Sequence, residues 1–305
     1  MGEGRILGRA RRGGIASLFL LALVPLAGES LRLATYNVEN YGPTDRMIDG
    51  GFRSDYPKPE REKEALRAVI RAIDADILLL QEMGSEPYLE ELARDLARAG
   101  LKYPFRAVLN GPDPERHLAV LSRRPWRSLV RHEELDFPYL GETAVVSRGL
   151  LELRLETEGG DLAIFEVHLK SRLSDRSDDP LSAVRREGES RAVREVVANE
   201  VGPTAGLFLI AGDFNAPPES DALGLWQGLV LPVSARDAEG GEWTYHYDRG
   251  QSDWAFDHFL VSPALADAVV GASARIWDDP LAAQASDHRP VVLELDLQPN
   301  PAANE

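Results

Sequence analysis

Cysteine is absent from the 305 residues, which removes disulfide bonds, thiol nucleophiles and thiolate metal ligands together. A lipid-bearing cysteine at the end of a leader is excluded for the same reason. None of the six histidines forms a His-x-x-x-His pair, so a zinc site of the usual kind is disfavoured. Positive charge is in the minority: 34 Lys and Arg stand against 50 Asp and Glu, a formal net charge of −16. A chain this acidic is a poor candidate for tight binding to a polyanion. It can still turn one over, because a hydrolase needs release and a divalent cation can bridge acid to phosphate. Internal repeats, low-complexity linkers and composition shifts are missing between residues 31 and 297, which are therefore read as one domain. The five tryptophans (126, 226, 243, 254 and 277) are scattered rather than gathered in one hairpin. That argues against an aromatic device for entering a membrane.

What the chain does have begins with a distinctive leader. Arg5, Arg9, Arg11 and Arg12 precede an apolar stretch from Ile15 to Ala27, a charged region followed by a hydrophobic one of signal-peptide length. The run is short for a membrane span of ~20 residues. Residues 1–30 are accordingly expected to be a signal peptide, with Gly28 and Ser30 as small residues near the cut and Arg11-Arg12 as a weak twin-arginine hint. The expected product is exported, periplasmic or extracellular, monomeric, and without stable membrane association after cleavage. This leader carries four arginines and two glutamates, so the formal −16 becomes −18 without it. Residues 298–305 are expected to be a disordered tail.

Periodicity organises the rest. Leu31 to Val38 reads as a strand, and residues 42–57, with Gly42, Pro43, Gly50, Gly51 and Pro57, as a loop over a pocket. Leu66, Val69, Ile70 and Ile73 form one helical stripe in a segment starting at Glu60. Ile77 to Leu80 is a short buried strand, and Tyr88 to Ala99 a second helix stopped by Gly100. Leu118 to Leu121 reads as a further strand. Leu150 to Leu155 and Leu162 to Val167 flank a Glu158-Gly159-Gly160-Asp161 turn as a hairpin, and Leu181 to Val201 is largely helical. Leu207 to Ala211, Phe259 to Val261 and Val291 to Leu295 complete the strands. Strands outnumber helices and include hairpins, so two packed mixed sheets with outer helices fit better than a doubly wound parallel sheet.

Polar clusters sit at the ends of these apolar runs: Tyr36-Asn37-Val38-Glu39-Asn40, Gln81-Glu82, His168-Leu169-Lys170-Ser171, Gly212-Asp213-Phe214-Asn215, Phe256-Asp257-His258 and Ser286-Asp287-His288-Arg289-Pro290. Their shared position points to one pocket. Oxygen-rich donors favour a hard cation, Mg²⁺ first, with Mn²⁺ or Ca²⁺ as alternatives. Mg²⁺ usually takes one or two carboxylates, for which Glu82 and Asp287 are chosen. The arginine groups 116, 123, 124, 127, 131 and 185, 186, 191, 194 read as solvated faces.

Taken in order, these six motifs resemble the endonuclease/exonuclease/phosphatase superfamily with the deoxyribonuclease-I-like fold, over about residues 31–296. The resemblance implies a four-layered α/β/β/α sandwich and metal-dependent hydrolysis of phosphoesters. It implies that Glu82 and Asp287 bind metal, with Asn37 beside them. By the same likeness, His288 contacts the scissile phosphate and Asp257 orients it. Asp213 orients or deprotonates the attacking water, Asn215 and Asn37 hold the phosphate and the Asp213 carboxylate, and His168 faces the leaving oxygen. Glu115 is the acid expected to partner His168, with Arg116 as the alternative functional group. Lys170 and Arg172 are expected on backbone phosphates, and His258 as a wall of the site. The aromatics of Trp243-Thr244-Tyr245-His246-Tyr247 are read as core packing or as a stacking surface for a base. The expected function is an exported Mg²⁺-dependent nuclease cutting DNA or RNA. The alternatives are a phosphomonoesterase or phospholipid phosphodiesterase and, remotely, a non-catalytic binding module.

Overall fold

The computed structural model describes residues 1–2, 29–202 and 206–298. The tail beyond Gln298 and most of the expected leader lie outside the described residues. The last two residues of that leader do not: Glu29 and Ser30 open the first strand and pair with Leu297 and Asp296. The first strand among the described residues thus begins two residues before the Leu31 expected from the sequence, and a cut after Ser30 would shorten a central strand. Among the described residues, no helix is long and apolar enough to cross a membrane.

Two mixed sheets carry the architecture. The seven-stranded sheet runs Ala235–Arg236, Ala274–Ile276, Val291–Leu297, Glu29–Asn37, Ile77–Met83, His117–Ser122, Phe105–Leu109. The six-stranded sheet runs Leu231–Val233, Asp257–Val261, Leu207–Asp213, Gly160–His168, Leu150–Thr157, Ser128–His132. Leu31, Leu33, Ile77 and Leu79 of one meet Leu162, Ile164, Leu209, Phe259 and Val261 of the other in a single cluster between the sheets. The opposite parity faces outward. Ala34, Leu78 and Leu80 pack against Leu66, Val69, Ile70 and Ile73 of helix Glu60–Ile73 and Leu89, Leu92 and Leu96 of helix Glu86–Arg98. On the far side Ala163, Phe165, Phe208 and Ile210 pack against Val193 and Val197 of helix Ala183–Val201. The expected four-layered sandwich is the observed one. Each fully buried aliphatic side chain adds roughly 1.5–3 kcal/mol relative to exposure.

Helix Glu60–Ile73 forms where its apolar residues recur at helical spacing, with Glu60 and Glu62 at the positive end of its dipole and Asp74 closing it in the left-handed conformation. Residues 42–57, read from their glycines as a loop, instead hold a hairpin, Thr44–Ile48 with Gly51–Tyr56. Its turn uses Asp49 and Gly50 at positive φ, so those residues mark a reversal rather than an irregular segment.

The pleat explains how an apolar core opens into a polar site. Side chains on one face of a strand recur every two residues. Extending the inner-facing series gives Leu33, Thr35, Asn37 on one strand and Ile164, Glu166, His168 on another. Leu79 leads to Gln81, Ala211 to Asp213, and Phe259 backwards to Asp257. All these run to the same end of the sandwich, because Glu29–Asn37 is parallel to Ile77–Met83 and Gly160–His168 is parallel to Leu207–Asp213, whereas Asp257–Val261 runs the other way. His168, Asp213 and Asp257 are register partners across three strands.

Candidate active site

Asp213 is the hub. It ends the strand Leu207–Asp213, where Gly212 precedes it at φ 146°; a Cβ there would meet the Val167 carbonyl oxygen at 1.9 Å. Only glycine lets the two parallel strands approach closely enough to set Asp213 beside His168. The Asp213 carboxylate accepts from the backbone N–H of Asn215 at 2.8 Å, from Asn37 Nδ2 at 3.0 Å and from Asn215 Nδ2 at 3.1 Å. Asn215, itself at φ 49°, also donates to the Leu169 carbonyl. His168 Nε2 lies 3.4 Å and His288 Nε2 3.8 Å from Asp213 Oδ2. A buried carboxylate therefore stands between two imidazoles.

His288 is held from behind. Its Nδ1 pairs with Asp257 Oδ2 at 2.8 Å, its backbone N–H donates to Ser286 Oγ, and Ser286 Oγ donates to the Asn37 carbonyl. Thr244 Oγ1 accepts the backbone N–H groups of both Phe256 and Asp257, fixing the start of that strand. Tyr245 lies tilted on the His288 ring at 4.7 Å and stacks on Phe256, which stacks on Trp254. The segment 243–247 is thus a buttress for His288, a role its aromatic spelling did not disclose.

The two histidines are driven apart electrostatically. Burial opposes charge on His288, but Asp257, Asp213 and the Asp257 hydrogen bond outweigh it and hold its pKa well above the ordinary value. Burial, aided by Arg148, His288, Arg116 and Lys170, pushes His168 well below its ordinary value. The surroundings favour the charged form of His288 and the neutral form of His168. Burial raises Asp213 to about 7, with Asp257 adding to the rise and His288 opposing it. Groups whose environments separate their protonation states in this way mark acid–base chemistry.

Acids crowd the neighbouring wall. Glu82 follows the strand turn at φ 59°, and its Oε2 accepts from the Asn40 backbone N–H. Desolvation by the surrounding protein raises Asp287 to about 7, with Glu39 and Glu82 adding to the rise and His288 and Lys58 opposing it, although the side chain keeps contact with solvent. Burial likewise raises Glu39. Fully buried Lys58 donates to the Glu39 carbonyl at 3.1 Å and lies within 3.6 Å of the Glu39 and Glu62 carboxylates. Glu39, Asn40, Glu82 and Asn215 all hold left-handed backbone conformations, strain of about 1–3 kcal/mol each of the kind that gathers at functional sites. This oxygen-rich set suits a hard divalent cation: the Glu82 and Glu39 carboxylates both act on Asp287, a concentration of negative charge that a cation would offset. Asp213, Asp257 and His288 also offer ligand atoms within 4.8 Å of one another. Because His288 Nδ1 and Asp257 Oδ2 are already bonded, that trio suits proton handling better than a hard-cation cage.

Four expectations change. Glu115 does not partner His168: half exposed, its carboxylate takes the Thr44 hydroxyl and the Arg116 guanidinium instead. Arg116 lies 3.8 Å from Glu82 and faces the site. His258 is not a wall of the pocket. Its parity puts it on the outer face, where Nε2 meets the Ala216 carbonyl and the ring packs edge-on against Phe214. Lys170 turns its ammonium onto its own loop, at the Leu173 carbonyl and Ser171 Oγ, while Arg172 lies over the Trp254 ring at 4.5 Å. The arginine faces are not uniformly solvated either, since Arg186 is buried against the Lys170 carbonyl. The sequence reading also passed over Arg148. It is buried, its Nη2 bonds Asp113, and its Nε and Nη1 have no partner among the described residues. Its place in Ser147-Arg148-Gly149, just before the strand Leu150–Thr157, is the signal that was available.

Two imidazoles about one buried carboxylate, at the open end of a four-layered sandwich, make a site suited to acid–base chemistry. The chain belongs to the Endonuclease/Exonuclease/phosphatase family, whose model matches residues 34–288, and is a phosphoester hydrolase of that family. It is 23% identical over 318 residues to a protein of Thioalkalivibrio sp. named Deoxyribonuclease, spanning 93% of this chain and 76% of the relative. Its fold is shared by sphingomyelinase C from Streptomyces griseocarneus (TM-score 0.62, 15% identity, 88% of this chain and 99% of that one). It is also shared by a family member from Leptotrichia buccalis (TM-score 0.60, 12% identity, 87% and 99%).

Proposed function

We propose that the protein is an exported, Mg²⁺-dependent phosphodiesterase that hydrolyses nucleic acid. The observation that carries the reading is Asp213 flanked by His168 at 3.4 Å and His288 at 3.8 Å. Asp213 takes the proton of the attacking water, since a base with a pKa near the working pH transfers protons most effectively. Charged His288, fixed by Asp257, neutralises the non-bridging phosphate oxygens, and the Asn37 and Asn215 amides keep Asp213 aimed. Neutral His168 donates Nε2–H toward the departing oxygen. The unpartnered nitrogens of Arg148, with Arg116, suit a further phosphate. Glu82 and Asp287, assisted by Asn37, would hold the cation, which when bound offsets phosphate charge. The nucleic-acid substrate is supported by the relative named Deoxyribonuclease, and export by the composition of the leader.

A second reading, a phospholipid phosphodiesterase, is favoured by one feature. The hairpin Thr44–Tyr56 presents Met47 and Phe52 opposite each other at its tip, 65% and 62% exposed. The deciding assay sets supercoiled plasmid, RNA, sphingomyelin vesicles and a small phosphomonoester against the purified protein, each with Mg²⁺ and with EDTA. The expected result is plasmid nicking or RNA cleavage that EDTA abolishes. Turnover confined to vesicles or to the monoester would overturn the nuclease reading.

A further inference from the structure

A second cavity lies away from the catalytic end, on the outer face of the seven-stranded sheet. Its volume is about 370 Å³, and it opens over the strands Ala235–Arg236, Ala274–Ile276 and Val291–Leu297. That size suits a small molecule. Parity explains the lining. Leu31 and Leu33 point into the core between the sheets, so Arg32 and Ala34 point outward. Glu294 and Val292 are their partners across the ladder, Arg275 is the partner of Val292, and Arg236 of Arg275.

Two arginines thus stand side by side on adjacent parallel strands, about 4.8 Å apart in the pairing direction. Like charges directly opposite each other destabilise a sheet. The acids that line the cavity are committed elsewhere. Glu294 accepts from Arg32 Nε at 3.0 Å and Nη2 at 2.5 Å. Asp237 accepts from Arg289 Nη1 at 3.0 Å and from the backbone N–H groups of Glu239 and Gly241. Arg236 meets Glu242 at 2.5 Å, but both side chains are more than half exposed, and such a pair contributes little. Arg275 has no carboxylate partner among the described residues. Its guanidinium lies over the Trp277 ring at 4.5 Å, a contact that fixes its plane and leaves its N–H groups free to donate.

We propose that this cavity is a second ligand site, which binds a phosphate-bearing anion between Arg236 and Arg275. A phosphate monoester carries about −1.5 to −2 charges at neutral pH and three acceptor oxygens, enough for two guanidinium forks, whereas one carboxylate matches one fork. Inorganic phosphate is the minimal ligand and a mononucleotide the fuller one. Only the choice of a nucleotide rests on the proposed function, since a nuclease releases molecules of that class; the recognition of phosphate does not. The cavity backs onto the segment that carries His288: Asp237 holds Arg289, and the Trp277 backbone N–H donates to the Pro290 carbonyl at 2.8 Å. An occupant lies behind that segment, so it does not compete with substrate.

The test is a titration of the whole protein, ¹⁵N-labelled at tryptophan, without added divalent cation. The Trp277 indole signal is assigned by its loss in Trp277→Phe. That indole N–H is buried and has no hydrogen-bond partner among the described residues, so its resonance responds to charge arriving beside it. Inorganic phosphate and adenosine 5′-monophosphate should each shift it saturably. The acidic surround keeps affinity modest, with half-saturation at about 1 mM phosphate. Acetate at matched ionic strength, and adenosine, should leave the signal in place. Arg275→Gln should weaken both phosphate ligands at least about tenfold and hold kcat on nucleic acid within about twofold. The proposal is overturned if acetate shifts Trp277 as phosphate does, if adenosine matches its monophosphate, or if Arg275→Gln keeps the shift. It is overturned equally by the absence of any shift up to about 50 mM phosphate. Should Arg275→Gln not fold, Arg236→Gln gives the same comparison. If the shift saturates and needs Arg275 but no nucleic acid is cleaved, the assigned substrate fails and the phosphate site stands.

Discussion

Asp213 and Glu166 are both buried acids whose pKa values burial raises, yet their surroundings give them different work. Asp213 accepts three hydrogen bonds and faces the cation of His288, which keeps its ionised form within reach at neutral pH. Asp213→Ala should lower kcat by about 10²–10⁴, measured at saturating substrate and Mg²⁺; near-normal turnover would remove it from the mechanism. Activity should rise with pH through about 7 as Asp213 ionises, and that acid limb should be missing from the residual activity of Asp213→Ala. Glu166 makes a different prediction, about stability. Its folded pKa lies above its unfolded value, so the native state retains a proton that the unfolded chain releases. The resulting stabilisation is full below the unfolded pKa and declines, by at most about 1.4 kcal/mol per pH unit, as pH rises toward the folded pKa. Glu166→Gln has no such proton to lose. Its stability relative to wild type should therefore grow with pH in urea titrations, and a pH-independent difference would contradict a protonated Glu166.

Strand ends are where the elements do chemistry, and they were the most legible part of the sequence. Asn37, Glu82, His168, Asp213 and Asp257 each follow or precede an apolar run, and that shared position at strand ends pointed to one pocket. What alternation could not show is which face a residue takes once the strand bends or ends. His258 adjoins Asp257 in sequence and lies on the opposite surface. Glu115 lies just before a strand, but its loop carries it out to Thr44. The short strands Tyr245–Tyr247 and Ser252–Trp254 were illegible because three residues display no period, and they exist through pairing with each other and with His288. Thr244 shows what such a segment contributes. Thr244→Val would leave two backbone N–H groups unpaired beside Asp257, a cost of about 1–3 kcal/mol each. It should lower both melting temperature and kcat without contacting substrate. A normal kcat in a folded Thr244→Val protein would deny the buttress its role.

At the scale of the molecule, charge sets the terms of encounter with substrate. Residues 31–305 carry a formal charge of −18, so a nucleic acid is repelled at long range even though His288, Arg148 and Arg116 gather at the site. Moderate monovalent salt at fixed Mg²⁺ should raise kcat/KM on DNA or RNA by screening that repulsion, the opposite of a basic nuclease. A small neutral diester should show no such dependence. A monotonic loss of kcat/KM with salt on nucleic acid would mean that local basic groups, not the overall field, govern capture.

The pairing of Glu29–Asn37 with Val291–Leu297 carries one more consequence. The first and last strands of the domain are immediate neighbours in the interior of the larger sheet, and His288 stands three residues ahead of the last one. The strand Glu29–Asn37 must therefore wait for Val291–Leu297 before this central hydrogen-bond ladder can close, and a fragment that stops short of residue 288 lacks both the ladder and the histidine. The site is thus complete only once the strand Val291–Leu297 has been made and has docked beside Glu29–Asn37.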